Sequence, residues 1–121
     1  MTRIDARDRL IVALDVPSAG EAEALVDRMG DQVRFVKVGL ELYTVAGPDI
    51  VRKLVARGKR VFLDLKFLDI EETVRRATAR VAAMGAAFLT IHANREALIA
   101  AVRGRGQYDL TLLAVPVLTH C

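Results

Sequence analysis

Five short segments of the chain are nearly continuously apolar and rich in valine, isoleucine, leucine and phenylalanine. They are LIVALDV at 10–16, FVKVGLEL at 35–42, RVFLDLKF at 60–67, FLTIHA at 88–93 and LTLLAVPVL at 110–118. Short apolar runs without strict alternation are typical of strands that are buried on both faces of a parallel sheet. The pattern therefore predicts five parallel β-strands.

The stretches between these strands carry the start and stop signals of helices. Ser18 and Glu21 have the spacing of a capping box, and Gly30 follows the last apolar position of the first predicted helix. A second helix is predicted from Pro48 to Gly58, because proline is favoured at the first helical position and glycine just past the end.

Two further helices have apolar residues at helical spacing. Gly85 ends the third, whose predicted apolar stripe is Ile70, Val74, Ala77, Val81 and Met84. Asn94 can cap the fourth, which is expected to end before Gly104. Its predicted apolar face is Leu98, Ile99 and Val102.

The strands begin at residues 10, 35, 60, 88 and 110, at intervals of 25, 25, 28 and 22 residues. Each interval fits one strand, one helix and two short loops, which indicates a parallel sheet with right-handed crossovers. The first strand lacks a glycine-rich turn after it, and polar residues lie at the carboxyl ends of several strands, where (β/α)₈ barrels carry their sites. We therefore expect an α/β fold, a partial (β/α)₈ TIM-type barrel of four βα units plus a fifth parallel strand, forming a single truncated domain over residues 1–121.

Composition excludes several classes of protein. Hydrophobic residues make up 53% and charged residues 27%, which is typical of a globular domain. No apolar run approaches the roughly 20 residues that cross a bilayer, and MTRIDARDRL does not resemble a signal peptide, so we expect a cytoplasmic protein. Cys121, the single cysteine, cannot form an internal disulfide. The net charge of +3 is spread along the helices, which argues against nucleic-acid binding.

The most informative stretch is LDLKFLDIEET at 63–73. Because side chains alternate across a strand, Asp64 and Lys66 share one face while the leucines share the other. Asp69 follows in the loop, and Lys37 lies inside another predicted strand. Buried charges are costly unless paired, so we expect an alternating network of these four groups. A simple salt bridge between Asp64 and Lys66 accounts equally well for the spacing.

Four segments together resemble the orotidine 5′-phosphate decarboxylase family: IVALDVPS, FVKVGLELYTVAGP, KRVFLDLKFLDI followed by Thr73, and LLAVPVLT. Hexulose-phosphate synthases and ketogulonate-phosphate decarboxylases share the Asp-x-Lys-x-x-Asp frame but depend on magnesium. The resemblance implies decarboxylation of orotidine 5′-phosphate to uridine 5′-phosphate in pyrimidine synthesis, with no cofactor and no metal.

The resemblance also implies a role for individual residues. Lys66 is the acid that protonates C6, Asp64 lies near the substrate carboxylate, and Lys37 joins the charged network and contacts the ribose. Other implied contacts are Asp15 to a ribose hydroxyl, Thr119 beside the base, Asp69 and Thr73 across a homodimer interface, and His92 as a polar contact at a strand end.

Three departures from the family are apparent. The chain ends after the fifth strand, so the family's phosphate-binding segments are absent and weak substrate binding is expected. Glu71 and Glu72 stand where the family usually has Pro and Asn, and Pro116 and His120 replace a Thr and a Ser. Two alternatives therefore stay open: a noncatalytic half-barrel that self-associates, and a magnesium-dependent sugar-phosphate lyase of the same superfamily.

Overall fold

A computed structural model of the chain describes residues 9–116, which divide between Phe62 and Leu63 into two compact units. All five predicted strands are present. They are β1 (Ile11–Ala13), β2 (Phe35–Gly39), β3 (Arg60–Phe67), β4 (Phe88–His92) and β5 (Thr111–Val115). β3 begins in the first unit and ends in the second. The expectation of a single domain stays a prediction.

The first unit contains β1, β2, the start of β3 and three helices: α1 (Ala19–Met29), α2 (Leu40–Ala46) and α3 (Pro48–Ala56). β1 and β2 are parallel, with Ile11 opposite Phe35 and Ala13 opposite Lys37. Ser18 begins α1 as predicted, since its Oγ accepts the Glu21 N–H at 3.2 Å and donates to Glu21 Oε2 at 2.9 Å. The fully buried side chains of this unit include Leu14, Val26, Val36, Val38, Leu42, Ile50 and Leu54.

The prediction of a strand over 35–42 is wrong for its last three residues, which belong to helix α2. The strand ends at Gly39, which is the N-cap of α2, and Leu42 is buried by the helix instead of by the sheet. LELY has apolar residues at alternate positions, but the seven-residue helix α2 buries Leu42 equally well and leaves Leu40 63% exposed.

The second unit contains the rest of β3, then α4 (Glu71–Ala83), β4, α5 (Arg95–Arg105) and β5. Its strands are ordered β3-β4-β5, and β4 and β5 are parallel, with Phe88 opposite Thr111. Asn94 caps α5 as predicted, because its Oδ1 accepts the Ala97 N–H at 3.0 Å. Buried side chains of this unit include Leu63, Val74, Val81, Leu89, Ile91 and Leu110.

The apolar face predicted for α5 is wrong. The helix buries Ala97, Ala100 and Ala101, while Ile99 and Val102 are 39% and 50% exposed. Small side chains allow α5 to approach its neighbour closely, and this favours the alanine face over the bulkier one. On α4, Val74, Val81 and Met84 are buried as predicted, whereas Ile70 precedes the helix and is 70% exposed.

Gly104 does not end α5, contrary to the prediction. The helix continues to Arg105, and Gly106 with φ 57° follows it. A Cβ on Gly104 would lie 2.2 Å from the Arg75 carbonyl oxygen and 3.1 Å from Thr78 Cβ. Gly104 is therefore required by the tight packing of α5 against α4.

The fifth strand is shorter than predicted. It ends at Val115, so Pro116 follows the strand and does not interrupt its hydrogen bonds. Residues 117 and 118 of the predicted strand lie outside the described residues. Over residues 9–116, none of the helices has both the length and the apolar character needed to span a bilayer.

Candidate active site

The two faces of β3 differ as the sequence predicts. Val61, Leu63 and Leu65 are buried on one face, with exposed fractions of 0%, 0% and 8%. Asp64 and Lys66 lie on the other face, near the carboxyl end of the strand. Their charged groups are therefore available for chemistry without disturbing the apolar face.

Asp64 and Lys66 form a bidentate ion pair. Lys66 Nζ donates to both carboxylate oxygens of Asp64 at 3.0 Å. The Asp64 side chain is 17% exposed and that of Lys66 is 44% exposed. The lysine is thus more accessible than the buried cation that was expected, and its ammonium group is held at the rim of the sheet by a largely covered carboxylate.

The backbone of Lys66 adopts an unusual conformation. Its φ angle is 49°, and among the described residues no other non-glycine residue has a positive φ. A side-chain-bearing residue in this left-handed region is strained, and such strain is concentrated at functional sites. The strand therefore leaves regular β geometry at the residue that carries the predicted acid.

Thr90 completes this group, and the sequence analysis missed it. Its hydroxyl lies on β4, accepts the Lys66 backbone N–H at 2.9 Å and donates to Asp64 Oδ1 at 2.8 Å. Thr90 is only 4% exposed. A threonine in an apolar strand is common and gives no signal by itself, but its place two residues before His92 puts it on the same face of β4 as that polar residue.

The loop after β3 places Asp69 on the surface, and the first turn of α4 does the same for Thr73. Asp69 Oδ1 accepts the Ile70 N–H at 2.7 Å, immediately before α4 begins. Asp69 and Thr73 are both exposed. Their predicted reach into the site of a second subunit stays a prediction.

Contacts within α4 account for the glutamate at position 72. It accepts hydrogen bonds from Arg75, with Nε at 3.2 Å, and from Arg76 Nε at 2.8 Å. These guanidinium groups lower the pKa of Glu72 from 4.5 to about 2, and the same contact raises the pKa of Arg75. Acidic residues in the first turn also interact favourably with the helix dipole.

Asp15 and Lys37 belong to the first unit. Asp15 is exposed just after β1, and its Oδ1 lies 3.9 Å from the position that a Cβ on Gly39 would occupy. Lys37 is half-buried on β2, and its carbonyl oxygen accepts the Leu14 N–H at 2.9 Å. Asp15 follows the carboxyl end of β1, whereas Lys37 is the central residue of β2. Their assembly with Asp64 and Lys66 into one network stays a prediction.

Of the two remaining predicted site residues, His92 lies within the described part of the chain and Thr119 does not. His92 ends β4 with a buried Nδ1 that has no hydrogen-bond partner within residues 9–116. Thr119 and His120 lie outside the described residues, as does Cys121. In the same described range, no group of three or more His, Cys, Asp or Glu side chains is arranged to hold a metal ion.

Comparison with known proteins supports the family resemblance. The sequence model of the Orotidine 5'-phosphate decarboxylase / HUMPS family matches residues 8–121. A Bradyrhizobium sp. (strain BTAi1) protein named orotidine 5'-phosphate decarboxylase is 50% identical over 118 residues, which are 98% of this chain and 49% of the relative. A protein of the same name from Nitrobacter winogradskyi is 53% identical over 114 residues, which are 94% of this chain and 48% of the relative.

Solved structures give the same result for the fold. Orotidine 5'-phosphate decarboxylase from Lactobacillus acidophilus matches with a TM-score of 0.82 and 38% identity, over 91% of this chain and 53% of that chain. An uncharacterized conserved protein from Geobacillus kaustophilus has a TM-score of 0.82 and 40% identity, over 92% of this chain and 55% of that chain. The predicted fold class, a partial (β/α)₈ barrel, is thereby confirmed.

The chain spans about half the length of the curated relatives that it matches. Within that half, it retains the strand that carries Asp64 and Lys66 and the succession of βα units around it. The matched residues cover almost the whole sequence. This chain belongs to the orotidine 5′-phosphate decarboxylase / HUMPS family.

Proposed function

We propose that the protein acts in the decarboxylation of orotidine 5′-phosphate to uridine 5′-phosphate. The observation that carries this proposal is the Asp64–Lys66 pair, in which one ammonium group lies 3.0 Å from both oxygens of a largely covered carboxylate. Relatives with 50% and 53% identity bear the name orotidine 5'-phosphate decarboxylase. The proposed setting is pyrimidine nucleotide synthesis in the cytoplasm.

The chemistry of the reaction suits such a pair. When the bond between C6 and the carboxylate breaks, its electron pair remains on C6 and carbon dioxide leaves. An ammonium group that is already in place stabilises this developing negative charge better than water, which must reorganise. Lys66 then delivers a proton from Nζ to C6. Asp64 keeps the ammonium oriented and places negative charge near the departing carboxylate.

The remaining candidate residues bind the substrate in this proposal. Asp15 binds a ribose hydroxyl and Lys37 contacts the ribose, while Thr119 lies beside the base. Asp69 and Thr73 are exposed after β3, which is where a second subunit would receive them in a homodimer.

The expected strength of substrate binding depends on contacts to the phosphate group of the substrate. Enzymes use binding energy from the non-reacting parts of a substrate to stabilise the transition state elsewhere. In barrels of this class the phosphate site lies in the loops after strands 7 and 8, and this chain covers about half of its relatives. We therefore expect these 121 residues, taken by themselves, to bind the substrate weakly, so that their turnover requires high substrate concentrations.

The proposal is tested by following the loss of orotidine 5′-phosphate absorbance with the purified full chain, with and without a chelator. Turnover that resists the chelator is the expected result. Turnover of sugar phosphates that is lost with the chelator would instead identify a magnesium-dependent lyase. Absence of turnover at any substrate concentration would contradict the proposal for this chain.

A second candidate function is self-association without catalysis. It is favoured by the outer face of α5, where Leu98, Ile99 and Val102 line a shallow depression of about 300 Å³ together with Arg103. Exposed apolar patches on helices mark association surfaces. A defined oligomer with no turnover would support this candidate.

A further inference from the structure

The hydroxyl of Thr90 connects the two groups on which the proposed reaction depends. It uses its single proton in the hydrogen bond to Asp64 Oδ1 and a lone pair in the hydrogen bond from the Lys66 N–H. The residue is 4% exposed, so water does not readily replace either contact. A buried hydroxyl with both contacts made is well satisfied, and its removal would take one hydrogen bond from Asp64 Oδ1 and one from the Lys66 N–H.

The hydrogen bond between the Thr90 hydroxyl and the Lys66 N–H is made at a residue with a strained backbone. A residue with φ 49° returns easily to the extended region unless its surroundings hold it. The Lys66 N–H is tied to the side chain of the adjacent strand, which resists that return. The hydrogen bond thus acts at the residue whose backbone angle sets the direction in which the Lys66 side chain leaves β3.

The hydrogen bond from the Thr90 hydroxyl to Asp64 restricts the orientation of the Asp64 carboxylate. Asp64 Oδ1 accepts hydrogen bonds from both the Thr90 hydroxyl and Lys66 Nζ, and Oδ2 accepts one from Lys66 Nζ. The β-branched side chain of Thr90 has restricted rotation about χ1, so the hydroxyl is a rigid donor. It orients the carboxylate that in turn orients the ammonium group.

We propose that Thr90 is a positioning residue that holds Asp64 and the Lys66 backbone in the arrangement used for proton delivery. The catalytic meaning of this proposal rests on the proposed decarboxylase function. The positioning itself is a property of the folded chain and is measured without turnover.

The test compares Thr90→Val, which keeps the shape and removes the hydroxyl, with Thr90→Ser, which keeps the hydroxyl. Thr78→Val is the matched control, because Thr78 is fully buried in α4 and its hydroxyl has no hydrogen-bond partner among the described residues. Amide hydrogen exchange at Lys66 is the readout that does not depend on activity. We expect Thr90→Val to speed exchange at Lys66 roughly tenfold, with little change in Thr90→Ser and Thr78→Val.

The kinetic readout separates positioning from substrate binding. Thr90→Val should lower kcat by about 10-fold to 100-fold, since small displacements of reacting groups have effects of this size, while KM changes little. Thr90→Ser should recover most of kcat, and Thr78→Val should retain it.

Three results would overturn the proposal: unchanged Lys66 exchange in Thr90→Val, equal loss in Thr90→Ser and Thr90→Val, or an unprotected Lys66 amide in the unmodified chain. The last measurement needs no variant, so it decides even if Thr90→Val does not fold. If the unmodified chain has no activity, the decarboxylase function fails, while the Lys66 exchange rates still decide the role of Thr90.

Discussion

At the scale of single residues, the sequence predicts which charged side chains share a face of the strand. It does not predict the hydrogen bonds that hold these side chains in place. The alternation around Asp64 and Lys66 is readable because side chains on a strand alternate with a period of two. The positive φ of Lys66 and the hydroxyl of Thr90 are not readable, because both depend on the pairing of β3 with a strand that lies 24 residues further along the chain. Long-range contacts of this kind leave no local pattern.

Gly104 allows a direct test at this scale. Gly104→Ala should lower the free energy of unfolding by about 1–3 kcal/mol, because the new methyl group would overlap the Arg75 carbonyl oxygen, a backbone atom that cannot rotate away. Chemical denaturation followed by circular dichroism measures the change. The matched control is Gly20→Ala in α1, where nothing lies within 4 Å of the new Cβ. The control should be neutral or stabilising by up to about 1 kcal/mol, and an equal loss in both variants would contradict the packing role of Gly104.

At the scale of elements, helix starts were predicted better than helix faces. Ser18 and Asn94 begin α1 and α5 as expected, because a cap depends on residues three positions apart. The sequence pattern assigns the buried face of α5 to its largest apolar residues, whereas close packing against α4 selects its alanines. The sequence pattern does not reveal helix α2, because its first residues, Leu40, Glu41 and Leu42, alternate like those of a strand. Periodicity cannot decide between two elements when the segment is this short.

The first turn of α4 has a predictable dependence on pH. The pKa of Glu72 is lowered in the folded chain to about 2 by Arg75 and Arg76, so its ionised form is favoured by folding. The sign follows from linkage: the contribution is fully present above pH 4.5 and is lost as the pH falls toward 2. The difference in Tm between the unmodified chain and Glu72→Gln should therefore shrink over this range, and added salt should reduce it.

Glu71→Gln is the matched control for this pH dependence. Glu71 lies in the same turn but, among the described residues, is not hydrogen-bonded to either arginine. Thermal unfolding of both variants across the acid range gives the comparison. A Glu72→Gln chain whose Tm differs from that of the unmodified chain by the same amount at every pH would show that the arginine contacts contribute nothing.

At the scale of the whole molecule, the fold class was predicted from the regular spacing of strands and helices. That spacing identified repeated βα units, and the similarity to solved structures with a TM-score of 0.82 agrees with it. The family was predicted from the motif around Asp64 and Lys66. Activity is harder to predict, because the chain spans about half the length of its relatives.

The exposed face of α5 predicts association at this scale. Val102 is 50% exposed and, with Leu98 and Ile99, presents an apolar surface beside Arg103. Val102→Asp should shift the molecular mass measured by light scattering toward the monomer, because a carboxylate in an apolar contact is costly to bury. Arg95→Ala, which changes an exposed polar residue of the same helix, should leave the mass unchanged. An unchanged mass for Val102→Asp would exclude this face as the contact.

The central claim is that Lys66 supplies the proton in a decarboxylase site, and a single comparison tests it most directly. Turnover of orotidine 5′-phosphate is measured for the unmodified full chain, for Lys66→Ala and for Lys53→Ala, a control whose ammonium is exposed on α3. Circular dichroism shows that each variant is folded. The account predicts turnover in the unmodified chain and in Lys53→Ala and loss of at least about 100-fold in Lys66→Ala. Substantial decarboxylation by a folded Lys66→Ala protein would contradict it.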